Sequence, residues 1–278
     1  MNRLNRDRNR QINPDPASTG QERFVRRLRR HRITVQAVRM LILILFLLLW
    51  EICADRGIID SFIFCSPSRI FLCLRDMVAD RSIFLHTGVT LYETIASFLL
   101  VTAIGILAAV LLWCSRSLSE ILEPYLVVLN SLPKSALAPL LIVWLGAAPA
   151  TIIVAGMSVA IFGSIMNLYT CFTTVDKEKI KLIRTLHGNR RHALFKVVLP
   201  SSVPAVISNM KVNIGLCLVG VVIGEFLAAR NGLGYLIIYA SQVFKMDWLI
   251  LSICLLCIMA MALYAVIGVV EKMYRKRF

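Results

Sequence analysis

After about residue 35, uncharged apolar stretches alternate with short polar segments along the rest of the chain. A helix needs about 20 largely apolar residues to cross a hydrocarbon core roughly 30 Å thick, because each residue rises about 1.5 Å. Six segments meet that requirement: residues 36–54, 90–114, a third ending near Leu145, a fourth beginning near Ala150, 200–228 and 248–270. The third and fourth share one uncharged run, 135–175, which is too long for a single crossing and is broken at Gly146-Ala-Ala-Pro149. The pattern predicts an all-α polytopic membrane protein with six transmembrane helices, each satisfying its own backbone as lipid requires. No internal repeat of about 20–50 residues interrupts it.

Composition agrees: 58% hydrophobic side chains and a mean hydropathy of +0.74 exceed what a water-soluble enzyme carries. The net charge of +15 would point to nucleic acid in a soluble chain. Here the basic residues are divided by spans, so their placement reports topology and no nucleic acid is expected. With the N-terminus inside, the interior segments hold 23 Lys and Arg and the exterior ones six. Both termini are therefore expected in the cytoplasm. Residues 1–35, with nine Arg by Arg30, read as a disordered basic cytoplasmic tail resting on anionic lipid, ahead of a membrane domain over 36–278. The first apolar run ends in Trp50-Glu-Ile-Cys53 without a small-residue cleavage site, which favours an uncleaved helix. In the exterior loop 55–84, Ile70, Phe71, Leu74, Met77 and Val78 follow Pro67 at helical spacing and predict a short amphipathic helix on the outer surface. The eight cysteines show no metal-ligand spacing and read as small hydrophobes, although Cys65 and Cys73 share a loop and could pair.

The interior loop 172–199 is patterned rather than loose. Asp176 is placed to cap a helix, Glu178 puts negative charge in its first turn, and Ile180, Ile183, Leu186, Leu194, Phe195 and Val198 recur at helical spacing. His187-Gly188-Asn189 breaks the run, and Pro200 opens the next span. A lever of this shape projects apolar knobs that need a groove on a partner.

Ionisable groups at membrane depth are costly unless they face protein, water or a partner. Glu51 and Glu93 lie near expected helix ends and read as interfacial; Glu123 is a further candidate. Lys134, between Pro133 and Pro139, either offers positive charge to an anion or bonds the carbonyls those prolines free. Lys211 and Glu225, with Asn209 and Asn213, fall on one face of the fifth span, which either lines the translocation pathway or bonds helices together. No phosphate loop, metalloprotease motif or nucleophile elbow is present in the sequence, so no catalytic residue, metal or cofactor is expected.

Residues 175–200, VDKEKIKLIRTLHGNRRHALFKVVLP, resemble the signature loop of membrane permease subunits of binding-protein-dependent ABC importers. Residues 129–146, LNSLPKSALAPLLIVWLG, and Gly224-Glu225 leading to Gly232-Leu-Gly234, are similar to the nitrate, sulfonate and taurine branch of that family. The resemblance implies a type I importer fold in a bacterial inner membrane, and two copies forming one pathway. It also implies a separate ABC ATPase pair, an extracellular or periplasmic solute-binding protein, and an anionic solute such as a sulfonate, nitrate or taurine. It makes loop 172–199 the coupling helix, with Asp176, Glu178, Lys181, Arg184, Leu186, His187, Gly188, Phe195 and Pro200 as its contact and framework residues. The chain departs from the family where Glu-Ala-Ala is usual, holding Lys181-Leu-Ile183, and has His187 in place of the usual glycine. The alternative function is a secondary transporter or channel working alone.

Overall fold

The computed structural model describes residues 16–56 and 65–277. The chain divides into two units, Met1–Ser68 and Arg69–Phe278. In the first unit, α1 (Pro16–Asp55) is one helix of 40 residues, of which Ile33–Asp55 is apolar enough to span a bilayer. It starts 20 residues before the expected position 36. Residues 16–35, expected as a disordered tail, continue this helix, and residues 1–15 lie outside the described residues. The reason is cooperative: once the span supplies a nucleus, good helix formers such as Arg, Gln, Glu and Leu propagate it. Beyond α1, Trp50 Nε1 donates to the Cys65 carbonyl at 3.0 Å. Ser68 donates through its backbone N and its Oγ to the Glu51 carboxylate at 3.1 and 2.6 Å. Glu51 thus holds the start of the next helix rather than only facing the interface.

That next helix, α2 (Pro67–Ala79), leads into the second unit. Then follow α3 (Ser82–Cys114), α4 (Arg116–Ser131), α5 (Lys134–Leu145), α6 (Pro149–Thr173), α7 (Lys177–Thr185) and α8 (Arg190–Ala193). A single π-turn, Leu194–Val198, joins α8 to α9 (Leu199–Ala228), and α10 (Leu233–Gln242) and α11 (Met246–Arg277) complete the chain. Among the described residues five helical stretches are long and apolar enough to span, and the pair α4 and α5, bent by 96° at its break, makes a sixth if it crosses as one. The break sits at Leu132-Pro133. Proline forces the residue before it out of helical geometry, and Leu132 accordingly has ψ 139°. Pro139, expected to interrupt the same span, lies inside α5 without breaking it.

The core is built by α3, α6 and α9 lying close along small residues. A Cβ at Gly156 would stand 2.6 Å from Ser97 Oγ and 2.8 Å from Val221 Cγ2, and one at Gly220 would stand 2.8 Å from the Gly156 Cα. Lipid exerts little hydrophobic drive between helices, so close backbone approach and hydrogen bonds such as Ser97 Oγ to the Ile153 carbonyl, 3.0 Å, hold this contact. Three apolar layers stack along the axis, one around Leu233, Leu236 and Leu251, one around Phe98, Val101 and Ile214, and one around Leu168, Phe172 and Val198.

The α2 stripe behaves differently from its expectation. Cys73 and Met77 are buried against Leu233, Leu251 and Met259, with Ile70 and Leu74 packed beside them. Phe71 stays 68% exposed. The helix therefore rests on protein through one face, tied by Arg69 to Asp247 of α11 at 3.3 Å. Burial, reinforced by the Asp247 carboxylate, pushes the Cys73 thiol up to about 11. All eight cysteines are thiols rather than disulfides, Cys65 and Cys73 included.

Candidate functional site

Two constructions at opposite ends of the α3, α6 and α9 core carry chemistry beyond packing. The first is the lever of α7, α8 and the π-turn. Asp176 Oδ1 accepts from the Glu178 backbone N at 2.9 Å, the expected cap, and Glu178 sits in the first turn of α7. The helix ends in a Schellman-type closure, in which the Gly188 N–H reaches the Ile183 carbonyl at 2.8 Å. In that closure the residue before Gly188 must be left-handed, and it is His187, at φ 58°. Gly188 is required by crowding instead, since a Cβ there would lie 2.8 Å from the Ile183 carbonyl oxygen. The sequence marks His187-Gly188-Asn189 as the break. Within it the residue needing conformational freedom is His187, where the family carries glycine. Left-handed geometry costs a side-chain-bearing residue about 1–2 kcal/mol. Replacing His187 with Gly should therefore tighten the turn by about 1 kcal/mol, read as slower hydrogen exchange of the Gly188 amide.

Beyond the turn, Asn189 opens α8 with a reciprocal cap through His192, and Arg190 Nη1 donates to the Cys114 carbonyl at the end of α3, 3.0 Å. The apolar residues divide into two sets. Leu194 and Val198 are buried with Leu168 and Phe172, and Ile180 packs against them. Leu182, Leu186 and Phe195 point away and are 60%, 70% and 67% exposed. Of the expected knobs, then, Leu186 and Phe195 project while Leu194 and Val198 anchor, and Leu182 was missed because it lies off the stripe. Lys181 is exposed, Arg184 lies in the last turns of α7, and Pro200 occupies the first turn of α9.

The second construction is a polar clamp where α9 ends. Glu225 is 1% exposed and accepts from Thr90 Oγ1 and from the Gly234 N–H, each at 2.6 Å. Thr90 Oγ1 also accepts from the Leu233 N–H at 2.8 Å, and His86 Nδ1 accepts from the Gly232 N–H at 3.0 Å. Gly232, at φ 120°, lets the chain turn back so that these amides face the carboxylate. Glu93, also 1% exposed, lies beside Glu225. Its expected interfacial place is corrected here. α3 begins at Ser82, not near residue 90, so Glu93 lies three turns inside it. His86, Thr90 and Ser97 were missed; their signal was a polar residue every three or four positions, 86, 90, 93, 94, 97, within an otherwise apolar span.

The remaining polar candidates are brought to separate partners. Asn209 and Asn213 both donate to Ser164 Oγ of α6, at 2.9 and 2.8 Å. Lys211 pairs with Glu271 of α11 and lies 5.3 Å from the Tyr264 ring centre. Asn209, Asn213 and Glu225 are buried within the unit, so this part of α9 bonds helix to helix rather than presenting one open polar stripe. Lys134 stands at the α4–α5 break, and its Nζ donates to the Asn130 carbonyl at 2.8 Å and to Asn130 Oδ1 at 3.3 Å. Glu123 is exposed on α4.

Residues 101–278 match the family model described as binding-protein-dependent transport system inner membrane component. A Haemophilus influenzae ABC transporter permease protein is 30% identical over 225 residues, covering 81% of this chain and 91% of its own. A Bacillus subtilis protein named for aliphatic sulfonates transport, the permease SsuC, is 25% identical over 70% of both chains. A Halalkalibacterium halodurans protein named as the formylaminopyrimidine transport permease ThiX is 25% identical over 70% of this chain and 77% of its own. Among solved structures, an inward-facing form of the MetNI methionine ABC transporter aligns with TM-score 0.59 at 16% identity, over 67% of this chain and 93% of that one. At that identity the likeness establishes the fold, that of a type I importer permease.

Proposed function

Because the chain belongs to the binding-protein-dependent transport system inner membrane components, we propose that two copies of it form the translocation pathway of an ATP-driven importer for a small anionic solute. The observation that carries this reading is the lever. Leu182, Leu186 and Phe195 leave three large apolar side chains bare on a segment flanked by Lys177, Lys179, Lys181 and Lys196, where the positive-inside rule puts cytoplasm. Such a surface fits the groove of an ATPase subunit, with Glu178 or Lys181 making the polar contact that the missing Glu-Ala-Ala pattern would otherwise make. The lever runs into α9 as one helical stretch, Arg190–Ala228, relieved only by the π-turn. Closure of an ATPase pair would move it as a rigid body and carry α9 with it. A solute-binding protein docks on the opposite face, beside α2 and the α9–α10 turn. Both termini lie in the cytoplasm of a bacterial cell.

Support for an anion comes from the sulfonate-named relative and from the α4–α5 break, where α5 begins without a side-chain cap. Helix starts exposed inside a membrane protein favour negative charge. Reconstitution tests the class. Uptake of a sulfonate into liposomes should require ATP and the ATPase, whereas uptake by the purified chain alone under an ion gradient would establish a secondary transporter instead.

A further inference from the structure

The lever carries more positive charge than its own fold uses. Residues 172–199 hold seven Lys and Arg against two acidic residues, Asp176 and Glu178. Asp176 is occupied, its carboxylate accepting from the Glu178 N–H. Arg190 is occupied as well, at the Cys114 carbonyl. Lys177, Lys179, Lys181, Arg191 and Lys196 are exposed, and among the described residues none of them makes an ion pair or a side-chain hydrogen bond.

These cations stand beside the bare apolar side chains. Lys181 adjoins Leu182 on α7, and Phe195 has Arg191 one turn before it and Lys196 directly after it. An apolar centre with a polar rim is the anatomy of a protein–protein docking surface. Topology accounts for positive charge somewhere on an interior loop, but it does not specify which positions carry it. Position 181 is specific. Where the family usually has Glu, this chain has Lys, so the sign of the charge beside the apolar knobs is reversed. A groove shaped for a carboxylate offers donors or positive charge, and an ammonium pressed into it meets like charge, which costs affinity.

We infer that the ATPase partner of this chain presents an acidic groove to the lever, with Lys181 against a carboxylate, so that the two are matched by reversed charge and ATPases serving permeases with the usual Glu are excluded. The inference rests on the importer reading and names the chemistry of the partner at that same lever. Lys177, Lys179 and Lys196 steer the encounter, while Leu182, Leu186 and Phe195 supply the apolar contact.

The test is binding of two ATPases to the full-length chain in nanodiscs of neutral lipid: the one that co-purifies with the chain from its own cells, and one from a family member whose permease carries Glu-Ala-Ala. The unaltered chain should bind its own ATPase at least about tenfold more tightly than the other, and raising salt from about 50 to about 500 mM should weaken that binding by about tenfold. Lys181→Glu should reverse the preference. Lys181→Gln should weaken binding of its own ATPase and gain nothing for the other. Neither change should move the melting temperature, because Lys181 is exposed and bonded to nothing through its side chain. A carbodiimide, which joins an amine directly to a carboxylate in contact with it, should link Lys181 to an Asp or Glu of the bound ATPase. Binding of its own ATPase that Lys181→Glu leaves unchanged or strengthens overturns the inference, as do cross-links that run only from Glu178 to a lysine of the ATPase. Salt-sensitive binding that appears only when the nanodiscs contain anionic lipid also overturns it, since the cations would then serve the membrane. If the unaltered chain binds its ATPase and Lys181→Glu changes nothing, only the acidic groove falls. If no ATPase co-purifies with the unaltered chain, the importer reading falls first.

Discussion

Leu186→Glu should release the ATPase from the permease, lowering its co-purification by at least about tenfold, while the membrane domain keeps its melting temperature. Leu186 is 70% exposed and touches none of the layer formed by Phe172, Leu194 and Val198, so the folded chain loses nothing when it is replaced. What changes is the docking surface, where a charge replaces an apolar knob at the tip of the lever. Truncation of a central interface residue typically costs about 2 kcal/mol or more, and each 1.4 kcal/mol or so is a factor of ten. Gly188→Val should give the same loss by a different route. Its Cβ would collide with the Ile183 carbonyl, 2.8 Å away, and unmake the closure that aims Leu186. The two variants differ in hydrogen exchange: Leu186→Glu leaves the Gly188 amide protected, whereas Gly188→Val exposes it.

The largest expected loss of stability comes from Glu225→Ala. One carboxylate holds the Thr90 hydroxyl and the Gly234 amide in a buried site, and its loss takes a charged partner from both. Removing one partner from a buried charged network costs about 3–5 kcal/mol, against a total stability of roughly 5–15 kcal/mol for a domain. Thermal unfolding in detergent should show a large drop in melting temperature. Protease should then cut first at residues 229–232, because α10 is docked through those amides. Glu225→Gln keeps the shape but cannot accept at every position, and should fall between. Gly234→Ala should resemble Glu225→Ala, since its Cβ would stand 2.7 Å from Glu225 Oε2 and 3.0 Å from the Val222 carbonyl.

Hydropathy made the crossings legible because lipid imposes length and neutrality on every span, and α6, α9 and α11 begin within a few residues of their expected starts. It misjudged α1 and α3 at their polar ends. Helices propagate past the apolar stretch whenever propensity allows, and hydropathy is blind to that. The shift at α3 had a consequence for chemistry, turning Glu93 from an apparent interfacial residue into half of a buried pair. Lys211 and Glu225 stand out in the sequence as costly, but their partners, on two different helices, do not. Glu271 and Thr90 lie 60 and 135 residues away in sequence, and only tertiary structure brings them near. Lever residues were legible because Asp176, Glu178 and the 180–186 stripe obey local helix rules. Which knobs are buried depends on α6, and no local rule reports it.

An ATPase can grip the lever only if the lever lies in the cytoplasm. Lys181→Cys and Lys245→Cys, each made where the native cysteines are replaced by serine, place one thiol at an exposed position of the lever and one in the turn between α10 and α11. A membrane-impermeant maleimide added to spheroplasts should label Cys at 245 and spare Cys at 181 until the membrane is broken. Labelling at 181 in intact spheroplasts would put the lever on the outer side, beyond reach of any ATPase, and rule out its coupling role.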